Sequence, residues 1–218
     1  MEKFAFILHP LSLQDMEHLS PLMRYIPDPI IEACLKMKKP FKVSHITGIK
    51  SPYAEAEGWF IGCPLTAKQM VELPEEFVMD RIIESGKVAQ KLGAKIVGLG
   101  AFTSIVGDAG ITVAKNLDIA VTSGNSYTVA TAIQGTKQAA RMMGKDLKEC
   151  RAVVVGATGS IGAASVRLLA KEVKHITLVA RHMGPLEELA QELIEQNHCE
   201  VAVSQDIRTS LQEADIVI

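Results

Sequence analysis

The sequence predicts an α/β protein in two parts, an N-terminal α/β domain followed by a doubly wound parallel sheet that breaks off early. Three observations carry this. Short apolar runs alternate with stretches of helical period along all 218 residues. A glycine triplet, Gly156, Gly159 and Gly162, falls where one apolar run gives way to a helical pattern. Counting the run that leads into that triplet, the second part supplies only four strand-like runs, where a full doubly wound sheet has about six.

Taken in order, "FAFIL" (Phe4–Leu8) reads as a buried strand that stops at His9 and Pro10. "IIEACLKMKK" has the spacing of an amphipathic helix, and is read either as that alone or as one wall of an apolar tunnel. "FKVSHITGI" alternates and reads as a strand bent at Gly48, and "WFIG" leads as a strand into Cys63. In "EEFVMDRIIESGKVAQKLG", Met79, Ile82, Ile83, Gly86 and Ala89 share a helical face, and Gly93 supplies a stop. "KIVGLG" and "LDIAV" follow as strands. The next long element, "TSGNSYTVATAIQGTKQAARMMG", begins among N-cap residue types (Ser123, Asn125, Ser126) and stops at Gly144. It reads as a helix linking residues 1–147 to residues 148–218. The second part then reads strand (Ala152–Val155), helix (Ile161–Val173), strand (Ile176–Ala180), helix, strand, turn, strand, with Leu186, Leu189, Ala190, Leu193 and Ile194 on one face of its second helix.

Composition narrows the function classes. Hydrophobic residues make up 48% and charged residues 22%, enough to build a core, and the formal net charge is −2. Near-neutral charge without a basic run argues against nucleic acid or an anionic membrane as main partner. No run approaches the roughly 20 apolar residues of a membrane span, and the N-terminus lacks a secretory signal. Cys34, Cys63, Cys150 and Cys199 lie far apart without a CxxC pair, as expected for reduced thiols in a cytoplasmic protein. His9, His18, His45, His175, His182 and His198 are scattered, and the His198-Cys199 neighbours have no further ligand at metal-binding spacing.

The glycine triplet predicts a dinucleotide site on a Rossmann domain. One glycine permits a tight turn, the second lets backbone approach a pyrophosphate, and the third lets helix pack on strand. The helix start adds free N–H groups and a positive dipole end. The expected contacts run Gly156, Ala157, Thr158, Gly159, Ser160, Ile161 and Gly162. At the end of the next strand, "TLVARHM" carries Arg181 where NAD sites carry an acid, with His182 beside it. That substitution predicts NADP as cofactor.

Ligands of open α/β sheets sit beyond the carboxyl ends of strands, which singles out three stretches. His9 follows the first strand, as a cap or a functional group. Phe102, Thr103 and Ser104 follow "KIVGLG", and their hydroxyls either hold a substrate carbonyl or serve a turn. Asn125 and Ser126 open the linking helix, and either hydrogen-bond a ligand or cap the helix. Ser104, Asn125 and His9 are therefore the candidate catalytic residues. Among the cysteines, Cys63 is the best placed as a nucleophile, although flanking apolar residues favour plain burial.

"ITGI", "GLGAFTSIVGD", "TSGNSYTVATAI" and "AVVVGATGSIGAASVRLLA", in this order, resemble the long-chain acyl-(acyl-carrier-protein) reductases of cyanobacteria and their bacterial relatives. More distantly the sequence is similar to shikimate-type and methylene-tetrahydrofolate-type dehydrogenases. The resemblance runs from about Phe4 to Ile218. It implies a substrate domain before a Rossmann domain, a fatty acyl thioester or acyl carrier protein as partner, and NADPH as reductant. The acyl group is expected to pass to a cysteine and be reduced there to an aldehyde. That cysteine is expected beyond the strand "ADIVI". Ending on an apolar strand leaves a bare edge, so the native protein is expected to continue, or another chain in a homo-oligomer to complete the sheet. The alternatives are a shikimate-type alcohol dehydrogenase, which needs a Lys–Asp pair that Lys87, Lys91, Lys95 and Asp108 do not match, and a non-catalytic NADP sensor.

Overall fold

A computed structural model describes residues 2–16, 24–196 and 199–218, so His18 and His198 lie outside the described residues. The chain divides into two units, Met1–Gly124 and Asn125–Ile218. The fold is α/β with mostly parallel sheets, as the alternation of elements predicts.

The first unit contains β1 (Glu2–Leu8), α1 (Asp28–Met37), β2 (Phe41–Lys50), β3 (Glu55–Gly62), α2 (Ala67–Glu72), α3 (Glu75–Lys91), β4 (Ile96–Leu99), α4 (Ile111–Lys115) and β5 (Ala120–Thr122). Its five strands run β2-β3-β1-β4-β5, parallel except for β2, which lies antiparallel at one edge. The pairing of β2 with β3 shifts register between Ile46 and Ile49, around the expected bend at Gly48. Register sets the core: Ala5 pairs with Trp59 and Val97, and Ile7 with Ile61 and Leu99. All six are buried, in one cluster with Val78, Ile82, Ile83 and Ala89 of α3. Each fully buried Val, Leu or Ile side chain among them contributes about 1.5–3 kcal/mol. The side chains that alternate with them point to the opposite face of the sheet. There the Phe4 and Phe6 rings lie over Gly58 and Gly98, where an added Cβ would stand 2.7 Å from them.

The second unit contains α5 (Asn125–Met142), β6 (Arg151–Val155), α6 (Ser160–Leu169), β7 (His175–Val179), α7 (Met183–Glu195), β8 (Glu200–Ser204), α8 (Ile207–Leu211) and β9 (Ile216–Val217). All four strands are parallel, in the order β8-β7-β6-β9. This is the third, second, first and fourth strand of the unit. The order reverses at β6, the switch point at which doubly wound folds place their ligands.

Two expectations change. The division falls ahead of α5, whereas the sequence pattern assigned that helix to residues 1–147. Val129 and Ile133 of α5 pack with Val154, Ala157 and Val166, and so tie it to the second unit. The connection read as a turn between β8 and β9 holds α8, whose N-cap Asp206 accepts from the Thr209 N–H at 3.2 Å.

Candidate functional site

The glycine turn lies between β6 and α6. Gly156 sits at φ +75°, the left-handed region in which a side chain is strained. Its N–H and that of Ala157 both donate to Val179 O of β7, at 2.8 and 3.0 Å, so two adjacent strands hold the turn. Gly159 N–H returns to Gly156 O at 2.9 Å. Gly162 lets α6 settle on the turn: an added Cβ would stand 2.1 Å from Gly156 O.

The consequence is an uncapped helix start. The first bond of α6 runs from Ala163 N–H to Gly159 O, so the amides of Ser160, Ile161 and Gly162 precede any intrahelical acceptor. Gly159 stands at the N-cap and has no side chain to satisfy them. Thr158 and Ser160 are exposed, Ile161 is half-buried, and Ala157 is buried, so that residue offers only backbone. Asn125, the first residue of α5, reaches the same place: its Nδ2 donates to Ser160 Oγ at 2.7 Å. It does not cap its own helix through this bond.

Arg181 follows β7 and is exposed. Its carbonyl accepts from Gln205 Nε2 at 2.6 Å, which anchors the backbone, and its guanidinium makes no ion pair among the described residues. Asp206, the acid in the loop after β8, is engaged at α8. The Thr209 hydroxyl and amide hold its carboxyl below the usual carboxylate range. His182 occupies the N-cap of α7 without a side-chain bond.

In the first unit the structure brings His9 and the 101–104 turn together. His9 Nε2 accepts from the Phe102 N–H at 3.1 Å, and its Nδ1 lies 3.0 Å from Pro10 O. Both contacts are made by a neutral ring with its proton on Nδ1. The hydroxyls expected to face a substrate carbonyl point back instead. Thr103 Oγ1 donates to Gly100 O at 2.8 Å, and Ser104 Oγ donates to Ala101 O at 2.7 Å. A hydroxyl has one proton, so neither is a free donor in this geometry. They stabilise a turn that carries Ala101 at φ +48°, where strain costs about 1–2 kcal/mol.

Cys63 is buried at the end of β3, and burial pushes its thiol up to about 11. That disfavours the thiolate that acyl transfer needs. Cys150 is buried and Cys199 half-buried, and burial raises both; Cys150 also donates its S–H to Asp146 O at 3.2 Å. Beside Cys63 lies a cavity of about 350 Å³, walled by Leu8, Leu35, Phe41 and Val43 with Lys38 among its lining residues. The segment "IIEACLKMKK", one of whose sequence readings is the wall of an apolar tunnel, contributes Leu35 and Lys38 to this lining, while the part played by Phe41 and Val43 had no signal in the sequence. The described residues hold no cluster of three or more His, Cys, Asp or Glu able to bind a metal. No described helix is long and apolar enough to cross a membrane.

Residues 137–218 match the family model for shikimate/quinate 5-dehydrogenase, so most of the second unit is a shikimate-dehydrogenase-like domain. Over 167 residues the chain is 31% identical to an aminotransferase, PigE, of Serratia sp., covering 76% of this chain and 19% of that protein. Over 209 residues it is 27% identical to the long-chain acyl-[acyl-carrier-protein] reductase of Synechococcus elongatus, covering 87% of this chain and 59% of that protein. The chain therefore spans about a fifth and three fifths of these relatives. Among solved structures it is similar to L-tryptophan dehydrogenase from Nostoc punctiforme, at 16% identity and a TM-score of 0.43, covering 99% of this chain and 55% of that one. It is also similar to an Ael1 enzyme from Pseudomonas putida, at 13% identity and a TM-score of 0.43, covering 100% of this chain and 68% of that one.

Proposed function

We propose that this chain is the nucleotide- and substrate-binding part of an NADP(H)-dependent reductase that converts a fatty acyl thioester to an aldehyde. The observation that carries the nucleotide half is the α6 start, with three amides ahead of the first helical bond and no side chain at Gly159 to cap them. Such a start is a ready site for a diphosphate. Arg181, exposed and without an acidic partner among the described residues, supplies a cation for a ribose 2′-phosphate.

In this reading the nicotinamide supplies hydride, and the chain's own residues do the holding. The Ser160, Ile161 and Gly162 amides take the diphosphate, and Arg181 selects the phosphorylated ribose. The acyl half rests on the resemblance to the acyl-carrier-protein reductase and on the cavity of the first unit, whose Leu8, Leu35, Phe41 and Val43 walls suit an aliphatic chain. The nucleophilic thiol is assigned to none of Cys63, Cys150 or Cys199, since burial raises each. A second reading, a shikimate-type alcohol dehydrogenase, is favoured by the family match over residues 137–218. Against it, Asp108 is engaged with Thr112: the Thr112 amide and hydroxyl hold its carboxyl below the ordinary range, and no lysine pairs with it among the described residues.

The test is fluorescence titration with NADPH and NADH, followed by aldehyde assay on the full gene product. Arg181→Asp is expected to weaken NADPH by about 100-fold, or about 2.7 kcal/mol, and NADH far less. Equal weakening of both would overturn the NADP assignment. A full gene product that binds NADPH but yields no aldehyde from acyl-carrier-protein or coenzyme A thioesters would overturn the substrate class.

A further inference from the structure

We infer that Asn125 is a positioning residue for the nucleotide's diphosphate and acts through Ser160, not by touching the group being reduced. The inference rests on the nucleotide reading above and assigns a task to a residue that sequence alone leaves open between substrate contact and helix cap.

Ser160 is the first residue of α6 and is exposed. A serine hydroxyl carries one proton and two lone pairs. Left alone near a helix start, its oxygen is free to accept from a first-turn amide and so compete with a ligand for it. Asn125 Nδ2 fills one of the two lone pairs by donating to that oxygen at 2.7 Å, which lessens this competition. The serine proton is then free to donate outward, and an oxygen that already accepts is a better donor. The chain of donation runs from the Asn125 amide through the Ser160 hydroxyl to an anion beyond.

Placement supports the same direction. Asn125 is the first residue of an 18-residue helix, and Ser160 opens a 10-residue helix packed against it. The bond therefore ties two helix starts together, and both positive ends meet in one place. The Asn125–Ser160 bond lies wholly within the second unit and joins elements 35 residues apart in sequence. A bond that only capped α5 would turn back into the first turn of that helix; this one leaves it.

A double-mutant cycle tests the inference, with NADPH titrated against wild type, Asn125→Ala, Ser160→Ala and the double variant. Each single variant is expected to weaken NADPH by about fivefold. The double variant should be no weaker than Ser160→Ala alone. Adenosine 2′-phosphate, which lacks the diphosphate, should bind all four proteins equally. Asn125→Asp, which cannot donate and carries negative charge, should weaken NADPH most, whereas Ser160→Thr keeps the hydroxyl and should keep the Asn125 effect. Unfolding temperatures of all variants separate loss of binding from loss of fold. Two outcomes overturn the inference: Asn125→Ala leaves NADPH affinity unchanged, or its effect persists in full on the Ser160→Ala background. A wild-type chain that binds neither NADPH nor NADH would instead overturn the nucleotide reading on which it rests.

Discussion

The two sheets use glycine in opposite ways. In the first unit, Gly58 and Gly98 sit in strands under phenylalanine rings, and the space left by a missing side chain is filled by a neighbour. In the second unit, Gly156 has nothing within 4 Å of an added Cβ, and Gly159 meets only Gly156 O at 3.3 Å. One set makes a flat surface on which an aromatic ring rests. The other leaves open space at Gly156 beside amides that have no acceptor within their helix. A glycine in an apolar run is thus uninformative about ligands until its surroundings are known. What distinguishes the second set is an open position beside unsatisfied donors.

The sharpest way to break this comparison is Gly162→Ala. Its Cβ would meet Gly156 O, Gly156 C and Ala157 Cα at 2.1, 2.8 and 3.0 Å, all of them backbone that cannot swing aside. A loss of about 3–5 kcal/mol is expected by chemical denaturation. A near-neutral result would mean that α6 does not need to sit so close to the turn.

Next in size is a pH effect that probes how well filled the first unit is. Burial raises the Cys63 thiol from 9.0 to about 11. A raised pKa stabilises the folded state fully below pH 9, and the contribution of about 3 kcal/mol is lost as pH rises toward 11. Cys63→Ala should flatten the stability profile across that window, and native Cys63 should resist iodoacetamide at pH 8 while exposed Cys34 reacts. Rapid alkylation of Cys63 would show that the end of β3 is open rather than filled.

The smallest effect is expected at Gly98. An added Cβ would stand 2.7 Å from the Phe6 ring, but that ring is 40% exposed and has room to tilt away. Gly98→Ala should cost about 1–2 kcal/mol, well under the loss at Gly162. Equal losses at the two positions would erase the distinction between a flexible neighbour and a rigid one.

Much of the fold was legible because local patterns carry it. Alternation in "FKVSHITGI", the helical face from Ile82 to Ala89, and stops at Gly93 and Gly144 all correspond to elements found. Partner choice was not legible. The apolar face of α5 is plain in sequence, but only the structure shows that Val129 and Ile133 meet Val154 and Val166. Periodicity also cannot give direction, so the antiparallel course of β2 was hidden, and α8 was too short for its period to register. At the site, the glycine spacing marked a turn between a strand and a helix, and Gly156, Gly159 and Gly162 lie there between β6 and α6. The hydroxyls of Thr103 and Ser104 were not legible, because side chains of this type satisfy a local carbonyl as readily as a ligand. Asn125 fell between two readings because its partner lies 35 residues away.

The pairing of β6 with β9 also bears on how the protein is made. One flank of β6 pairs with β7, but the other waits for β9, and the contact that pins it, Arg151 N–H to Asp215 Oδ2 at 3.0 Å, spans 64 residues. Ribosomes add about 5–20 residues per second, so on the order of 3–13 s pass between synthesis of the two. During that interval the run Ala152–Val155 presents an unpaired apolar edge, the feature by which nascent chains adhere to one another. The strand that supports the glycine turn is thus also the segment of this unit most in need of protection while it is being synthesised.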